Sequence, residues 1–372
     1  MRIGFDAKRA FHNRSGLGNY SRTLLDNLST LYKEDEYYLY TPSVTSLYTK
    51  ANENQKFVSP YSFFNNQLPF LWRSYNINKD LVRDGIEIYH GLSNELPYKL
   101  AKSGIKSVVT IHDLIFLRYP EWYPFLDRFF YKRKFLQACQ QADAIIAMSE
   151  QTKNDIIEFL KIDPEKIHVI YQTCSPLFQK LLNDEELDKV KVKYNLPHEY
   201  ILYVGTIEPR KNLLNLVKAL HKLPAHLKMP LIILGRPTAY KREVEEYASK
   251  AGLSSKVHFL SNVEAEEMPS LYQQATVFVY PSIFEGFGIP IIEALYSEVP
   301  VITSSGSCFK EAGGPDSMYA SPFDVRELSD AMTKVLSSTE LRRKMSEKGR
   351  LYVQKFDAKI VTKQVHKLYA SL

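Results

Sequence analysis

The sequence predicts an α/β protein built as two doubly wound parallel sheets, and three observations carry that prediction. The chain has 372 residues, more than one ordinary core takes up and comfortable for two. Short apolar runs without polar alternation recur along it, the pattern of strands buried on both faces. Helical stretches separate the runs, and the whole plan occurs twice.

In the first half the strands fall at 2–5, 37–40, 86–90, 107–112, 144–148 and 168–171, with helices such as 20–31 and 150–160 between them. In the second half they fall at 200–205, 231–235, 257–260, 277–280 and 299–303. A charged stretch without a strand, 172–198, marks the join. Two Rossmann-like domains are therefore expected, 1–172 and 173–355. The terminal segment 356–372 holds a last helix that packs back on the first domain. Ligands of doubly wound sheets bind beyond the carboxyl ends of the strands, so two facing domains would place a site in the cleft between them.

Bulk composition narrows the function. Hydrophobic residues are 45% and charged residues 24%, the balance of a soluble globular protein. No apolar run approaches the roughly 18 residues of a membrane span. The opening "MRIGFDAKR" has charge but no apolar core, unlike a secretory signal. Cys139, Cys174 and Cys308 are far apart, lack metal-ligand spacing and fit a reducing cytoplasm. The net charge of +6 suits anionic ligands or an anionic membrane surface. It is too small and diffuse to argue for nucleic acid.

Chemistry is sought at the strand ends. After the first strand, Gly16 and Gly18 precede a helix, where glycine lets backbone approach a ligand and the helix N-terminus favours an anion. The dinucleotide fingerprint G-x-G-x-x-G is absent, because position 21 is Ser. His112 closes the fourth strand and His90 the third; each is either a hydroxyl-binding imidazole or a histidine satisfied in place. In "ILYVGTIEPRKNL" the strand ends at Gly205, and Arg210 and Lys211 stand just before a helix. Two cations there oppose the helix dipole unless an anion such as a diphosphate binds between them. A solvated basic turn is the simpler alternative.

The stretch "SIFEGFGIPIIE" sets Glu285 and Glu293 around Gly286, Phe287, Gly288 and Ile289, with Pro290 suited to a first helical turn. Backbone amides from Gly286 to Ile289 suit a phosphate, and the two carboxylates suit sugar hydroxyls. Together they describe a nucleotide sugar. Helix capping by Glu293 and an exposed Glu285 would be the structural alternative.

At this point the chain resembles the retaining glycosyltransferases of the GT-B fold, family four, and among them the bacterial mannosyltransferases. The E-x7-E motif reads Glu285-GFGIPII-Glu293, and "SGLGNY", "TIHDL", "GTIEPRKN" and "VPVITSSGSCFKEAGG" follow the family in order. The resemblance implies that Glu293 holds the ribose hydroxyls and that Glu285 lies near the transferred sugar. It implies that Arg210 and Lys211 neutralise the diphosphate, and that His112 contacts sugar and acceptor. Gly16 and Gly18 would let a loop of the first domain close over phosphate, the amides of Phe287, Gly288 and Ile289 would face phosphate or sugar, and Gly205 and Gly286 would belong to the same nucleotide-sugar site. Thr206 stands where many members carry Arg, "YQTCSP" replaces the usual hinge, and "FDAK" lacks a Trp. No D-x-D occurs, so metal-independent transfer is expected.

The donor is read as GDP-mannose or a UDP-hexose, and the acceptor as a glycan or lipid-linked oligosaccharide. A sugar-nucleotide epimerase, an NAD oxidoreductase and a non-catalytic nucleotide-sugar binder are the competing readings. The first lacks this motif pair and the second lacks its fingerprint. Two segments mix aromatics with charge: Phe63, Phe64, Phe70, Leu71 and Trp72 in one, and Trp122, Phe125, Phe129 and Phe130 beside Arg128, Lys132, Arg133 and Lys134 in the other. They fit either peripheral attachment to the inner face of the cell membrane or core helix faces overlain by basic stems, and the pattern favours the core.

Overall fold

Continuous apolar runs become two all-parallel sheets. The first holds β1 (Arg2–Asp6), β2 (Glu36–Tyr40), β3 (Gln55–Val58), β4 (Ile88–Gly91), β5 (Lys106–Ile111), β6 (Ala144–Ala147) and β7 (Ile167–Val169). Their order is β3-β2-β1-β4-β5-β6-β7. The second holds β8 (Ile201–Val204), β9 (Leu231–Leu234), β10 (Val257–Leu260), β11 (Val277–Tyr280), β12 (Val301–Ser304) and β13 (Met318–Ala320), in the order β10-β9-β8-β11-β12-β13. The computed structural model describes residues 1–14, 16–62 and 67–372. Phe63 and Phe64 lie outside the described residues. Every residue of β6 and of β8 is buried, as strands covered on both faces require.

The chain divides into two compact units. One is Met1–Thr173 with Asp357–Leu372, and the other is Cys174–Phe356. In the first, strand order reverses between β1 and β4; in the second, between β8 and β11. Those reversals leave a crevice at the carboxyl edge of each sheet. His90 lies on β4 beside Phe5 of β1. The loop bearing Glu285 leaves β11, next to the end of β8.

Within the first unit, the helix Gly16–Leu31 begins earlier than the sequence predicts. Gly16 and Gly18 are therefore in its first turn, which corrects their placement in a loop before the helix. The reason is a close approach: a Cβ on Gly18 would stand 1.9 Å from the Asn13 carbonyl oxygen. Arg22 fixes that approach by donating to the carbonyls of Ala10 at 2.8 Å and Asn13 at 2.9 Å. The C-terminal helix Ala358–Ala370 lies against Gly16–Leu31 and buries Val361, Val365 and Tyr369.

In the second unit, Leu213–Lys222 buries Leu213, Leu216, Val217 and Leu220, one helical stripe. Asn212, in the left-handed region just before it, donates to the carbonyls of Pro281 at 3.0 Å and Pro322 at 2.7 Å. The helix Ile289–Tyr296 starts after Gly288, whose φ of 103° side chains rarely adopt. The charged join contains the helix Asp184–Tyr194, opened by a capping box of Asn183 and Glu186. Among the described residues, no helix is long and apolar enough to cross a membrane.

Candidate active site

At the carboxyl edge of the second sheet the loop after β11 folds back on the turn after β8. The Arg210 carbonyl accepts from the Ile283 amide at 2.9 Å and the Ser282 hydroxyl at 3.3 Å. This brings Glu285 between the two cations. Lys211 Nζ lies 2.5 Å from one carboxylate oxygen, and Arg210 Nη1 3.0 Å from the other. Ser282 and Tyr280 also donate to the first oxygen, at 2.6 Å and 3.0 Å. Arg210 reaches Glu208 as well, at 2.8 Å. The anion that Arg210 and Lys211 call for is thus already present in the chain, and it is Glu285.

The electrostatics follow. Burial alone would raise the Glu285 carboxyl, but Lys211 and Arg210, with hydrogen bonds from Lys211 and Ser282, hold it at about 2. Burial pulls the Lys211 ammonium below its ordinary value while Glu285 restores part of the loss. With two cations facing it, the carboxylate stays ionised. An exposed Glu285 is ruled out, since the residue is buried.

Glu293 stands apart from this cluster. It lies on the helix Ile289–Tyr296 and accepts from the Tyr272 hydroxyl at 2.9 Å. Burial raises its carboxyl to about 7, and the Tyr272 bond only partly offsets that. Between the acids, the Glu285 carbonyl accepts from Ser307 at 3.2 Å, and the Phe287 carbonyl from the Cys308 thiol at 2.9 Å. Gly286, Phe287, Gly288 and Ile289 therefore form a turn held from behind. Gly205, directly after β8, donates its amide to the Leu234 carbonyl at 2.9 Å.

The first sheet's edge carries an ion pair of Asp6, at the end of β1, with Arg73 at 2.5 Å, and beside it a chain of neutral groups. His112 follows β5 and its Nε2 lies 2.9 Å from the Leu92 carbonyl, which only accepts, so Nε2 carries the proton. Its Nδ1 accepts from the Gln172 amide at 3.2 Å. Tyr20 sets its ring edge-on to His112, with centroids 4.9 Å apart. Tyr20 also contacts Thr110 at 3.2 Å, Thr110 contacts His90 at 2.8 Å, and His90 contacts Tyr369 at 2.6 Å. Burial lowers His112 to about 4 and His90 to about 3. Both imidazoles are neutral at physiological pH.

Of the residues singled out from sequence, the structure joins Arg210, Lys211 and Glu285 directly. It places Glu293 on the following helix, and Gly16, Gly18 and His112 in the other unit. Ser282, Tyr280, Tyr272, Gln172 and Tyr20 were not singled out. Ser282 had a signal, standing three residues before Glu285; the others are partners only through the fold. Among the described residues, no group of three or more His, Cys, Asp or Glu is placed to hold a metal ion.

Comparison with known proteins gives the site a context. Residues 14–173 match the profile of Glycosyltransferase Family 4, and residues 184–352 that of Glycosyl transferases group 1. The O-antigen chain mannosyltransferase B of Escherichia coli is 28% identical over 387 residues, covering 100% of both chains. The serotype-specific mannosyltransferase WbdA of Escherichia coli is 31% identical over 73% of this chain, which spans 34% of that longer protein. HepE of Anabaena, solved in complex with UDP, superposes with a TM-score of 0.78 over 100% of both chains at 17% identity. At that identity the likeness establishes the fold, two Rossmann-like domains of the GT-B type.

Proposed function

We propose that this chain, a GT-B-fold glycosyltransferase related to bacterial mannosyltransferases, moves mannose from GDP-mannose to a glycan or lipid-linked oligosaccharide with retention of configuration. The observation that carries the reading is the Glu285 carboxylate holding Lys211 at 2.5 Å and Arg210 at 3.0 Å on the carboxyl edge of a doubly wound sheet. Such a buried pair of cations, fixed before substrate arrives, suits a leaving diphosphate better than it suits stability. The mannose assignment is supported by the relatives, whose names specify mannosyl transfer.

The chemistry then follows from the residues. The bond between the anomeric carbon and the diphosphate oxygen breaks, and its electron pair stays on that oxygen. Arg210 and Lys211 stabilise the growing charge. The acceptor hydroxyl bonds to the anomeric carbon on the same face and gives its proton to the departing phosphate oxygen. Glu293 accepts the ribose hydroxyls, with Tyr272 orienting it. Glu285 keeps the cations in place and lies near the sugar. His112 is neutral, so it acts by hydrogen bonding and shape rather than as a charged acid.

The test is transfer itself. Purified protein is supplied with GDP-mannose, UDP-glucose or UDP-galactose and mannose-terminated oligosaccharides. We expect GDP release and a product whose anomeric configuration, read by NMR, matches the donor's, undiminished by EDTA. Transfer from a UDP-hexose alone would overturn the mannose assignment, and an inverted product or a metal requirement would overturn the mechanism.

A further inference from the structure

Two apolar segments leave the carboxyl edge of the first sheet, one after β3 and one after β5. Neither is core. After β3, Phe70 is 58% exposed, and Leu71 and Tyr75 are exposed beside it. After β5, the helix Phe125–Gln141 exposes Phe125 at 70%, Leu126 at 65% and Phe130 at 58%, with Phe129 and Tyr131 also open. Phe125, Leu126, Phe129 and Phe130 follow the i, i+1, i+4, i+5 spacing of a single helix face.

The two segments form one surface. Lys134 Nζ lies 5.5 Å from the Phe70 ring centre, and both Lys134 and Arg73 pair with Glu95, at 3.4 Å and 3.5 Å. The helix is anchored from beneath, where Phe116 packs edge-on against Tyr131 and Phe135 and where Ala138 and Cys139 are buried. Its first turns thus hold their aromatics outward on a fixed base. Basic groups lie among them: the guanidinium of Arg128 is 5.6 Å from the Phe125 ring centre and that of Arg133 is 5.7 Å from Phe129. Lys132 is exposed alongside, and Asp127 is the only acid in the helix.

We infer that this face docks on an anionic membrane surface. Aromatics enter the boundary between headgroups and acyl chains while Arg128, Lys132 and Arg133 meet lipid phosphates. Arg128, Lys132 and Arg133 outnumber Asp127 on these turns, so the rings stand in a field of positive sign that an anionic surface complements. The inference deepens the proposed function, and rests on it only in making the acceptor lipid-linked: a docked carboxyl edge would meet an acceptor that never leaves the bilayer.

Full-length protein is mixed with vesicles of phosphatidylcholine and phosphatidylglycerol, or of phosphatidylcholine alone, and centrifuged; transfer to a soluble oligosaccharide is assayed in parallel. Pelleting is expected with the anionic vesicles at low salt and lost as salt rises. Each cation at such a surface contributes about fivefold to partitioning, so K132E with R133E lowers binding at least about 25-fold. Phe125→Ser with Phe129→Ser and Phe130→Ser lowers it to a similar or greater degree. All of these variants keep the wild-type melting point and soluble transfer. Wild-type protein that stays in the supernatant, or pelleting indifferent to both sets of variants, overturns the inference. So does a self-associated protein that the Phe variants return to monomer, since a second copy would then cover the face. Soluble transfer persisting through any of these results leaves the donor site standing.

Discussion

The charged cluster at the carboxyl edge of the second sheet and the histidine chain at that of the first treat their titratable groups in opposite ways. The second edge collects charge: Lys211, Arg210 and Glu285 meet within 3.0 Å, with Glu208 alongside. The first carries the Asp6–Arg73 pair at 2.5 Å but adds a chain of neutral donors and acceptors, running from Tyr369 through His90, Thr110 and Tyr20 to His112 and Gln172. Burial acts on both. At Glu285 it is outweighed by paired charge, so ionisation survives; at His90 and His112 no counter-charge is supplied, so the histidines lose their protons. The charged cluster suits a diphosphate, and the neutral, hydrogen-bonding chain suits sugar hydroxyls.

The largest break in that contrast comes from Lys211→Ala. Removing one preset cation is expected to slow transfer about 10²–10³-fold while weakening nucleotide binding far less. It also leaves Glu285 short of a partner, at a cost of about 3 kcal/mol in unfolding free energy. Equal losses in turnover and in binding would place Lys211 in ground-state recognition instead.

Glu293→Gln tests the acid outside the cluster. Glu293 holds its proton to about pH 7, so nucleotide affinity should tighten as pH rises through 7, when the carboxylate becomes a pure acceptor. The variant flattens that dependence and binds about tenfold more weakly at pH 8, the worth of one hydrogen bond to a charged acceptor. The stability effect has the opposite sign. A carboxyl raised from 4.5 to about 7 lends stability below 4.5 that is lost as pH rises through 7. Chemical denaturation at pH 8 should therefore find the variant no less stable than wild type.

Acid sharpens the comparison further. The histidines refuse protons that the unfolded chain takes up near 6.5, so the first edge loses stability as pH falls from 6.5 toward 4 and 3. Glu285 is held below its unfolded value of 4.5, so the second edge keeps its contribution until pH falls from 4.5 through about 2. The difference in melting temperature between wild type and His112→Asn should stay constant above about pH 6.5 and change only below it. A limb of the pH–rate profile near 6 that vanishes with His112 would mean that the imidazole titrates during turnover.

The smallest effect belongs to Tyr369→Phe. It removes one hydroxyl from His90 and should cost about 1–2 kcal/mol of stability with no change in nucleotide affinity.

Most of the architecture was legible because buried parallel strands read as unbroken apolar runs. β3 and β13 escaped because "QKFV" and "MYA" are short edge strands with no such run. The site was legible as a set of residue types but not as a set of contacts. Arg210, Lys211 and Glu285 were each visible, yet the pairing spans 74 residues and is made by the fold. The helix Phe125–Gln141 misled for a physical reason: large apolar and basic residues are packed so densely into its first turns that no polar face marks the solvent side. The core reading of the two aromatic segments holds for Trp72, which is buried, and gives way to exposure at Phe70, Leu71, Phe125, Phe129 and Phe130.

The central claim is that the charged edge binds a nucleoside diphosphate sugar through cations held by Glu285. Its most direct test is the melting temperature of wild type and Glu285→Gln with GDP, GDP-mannose, UDP, ADP and NAD. A ligand that favours the folded state raises the midpoint. The account predicts a rise with GDP and GDP-mannose for wild type, a smaller rise for Glu285→Gln, and none with NAD. A rise with NAD alone, or one of equal size in both proteins, would contradict it.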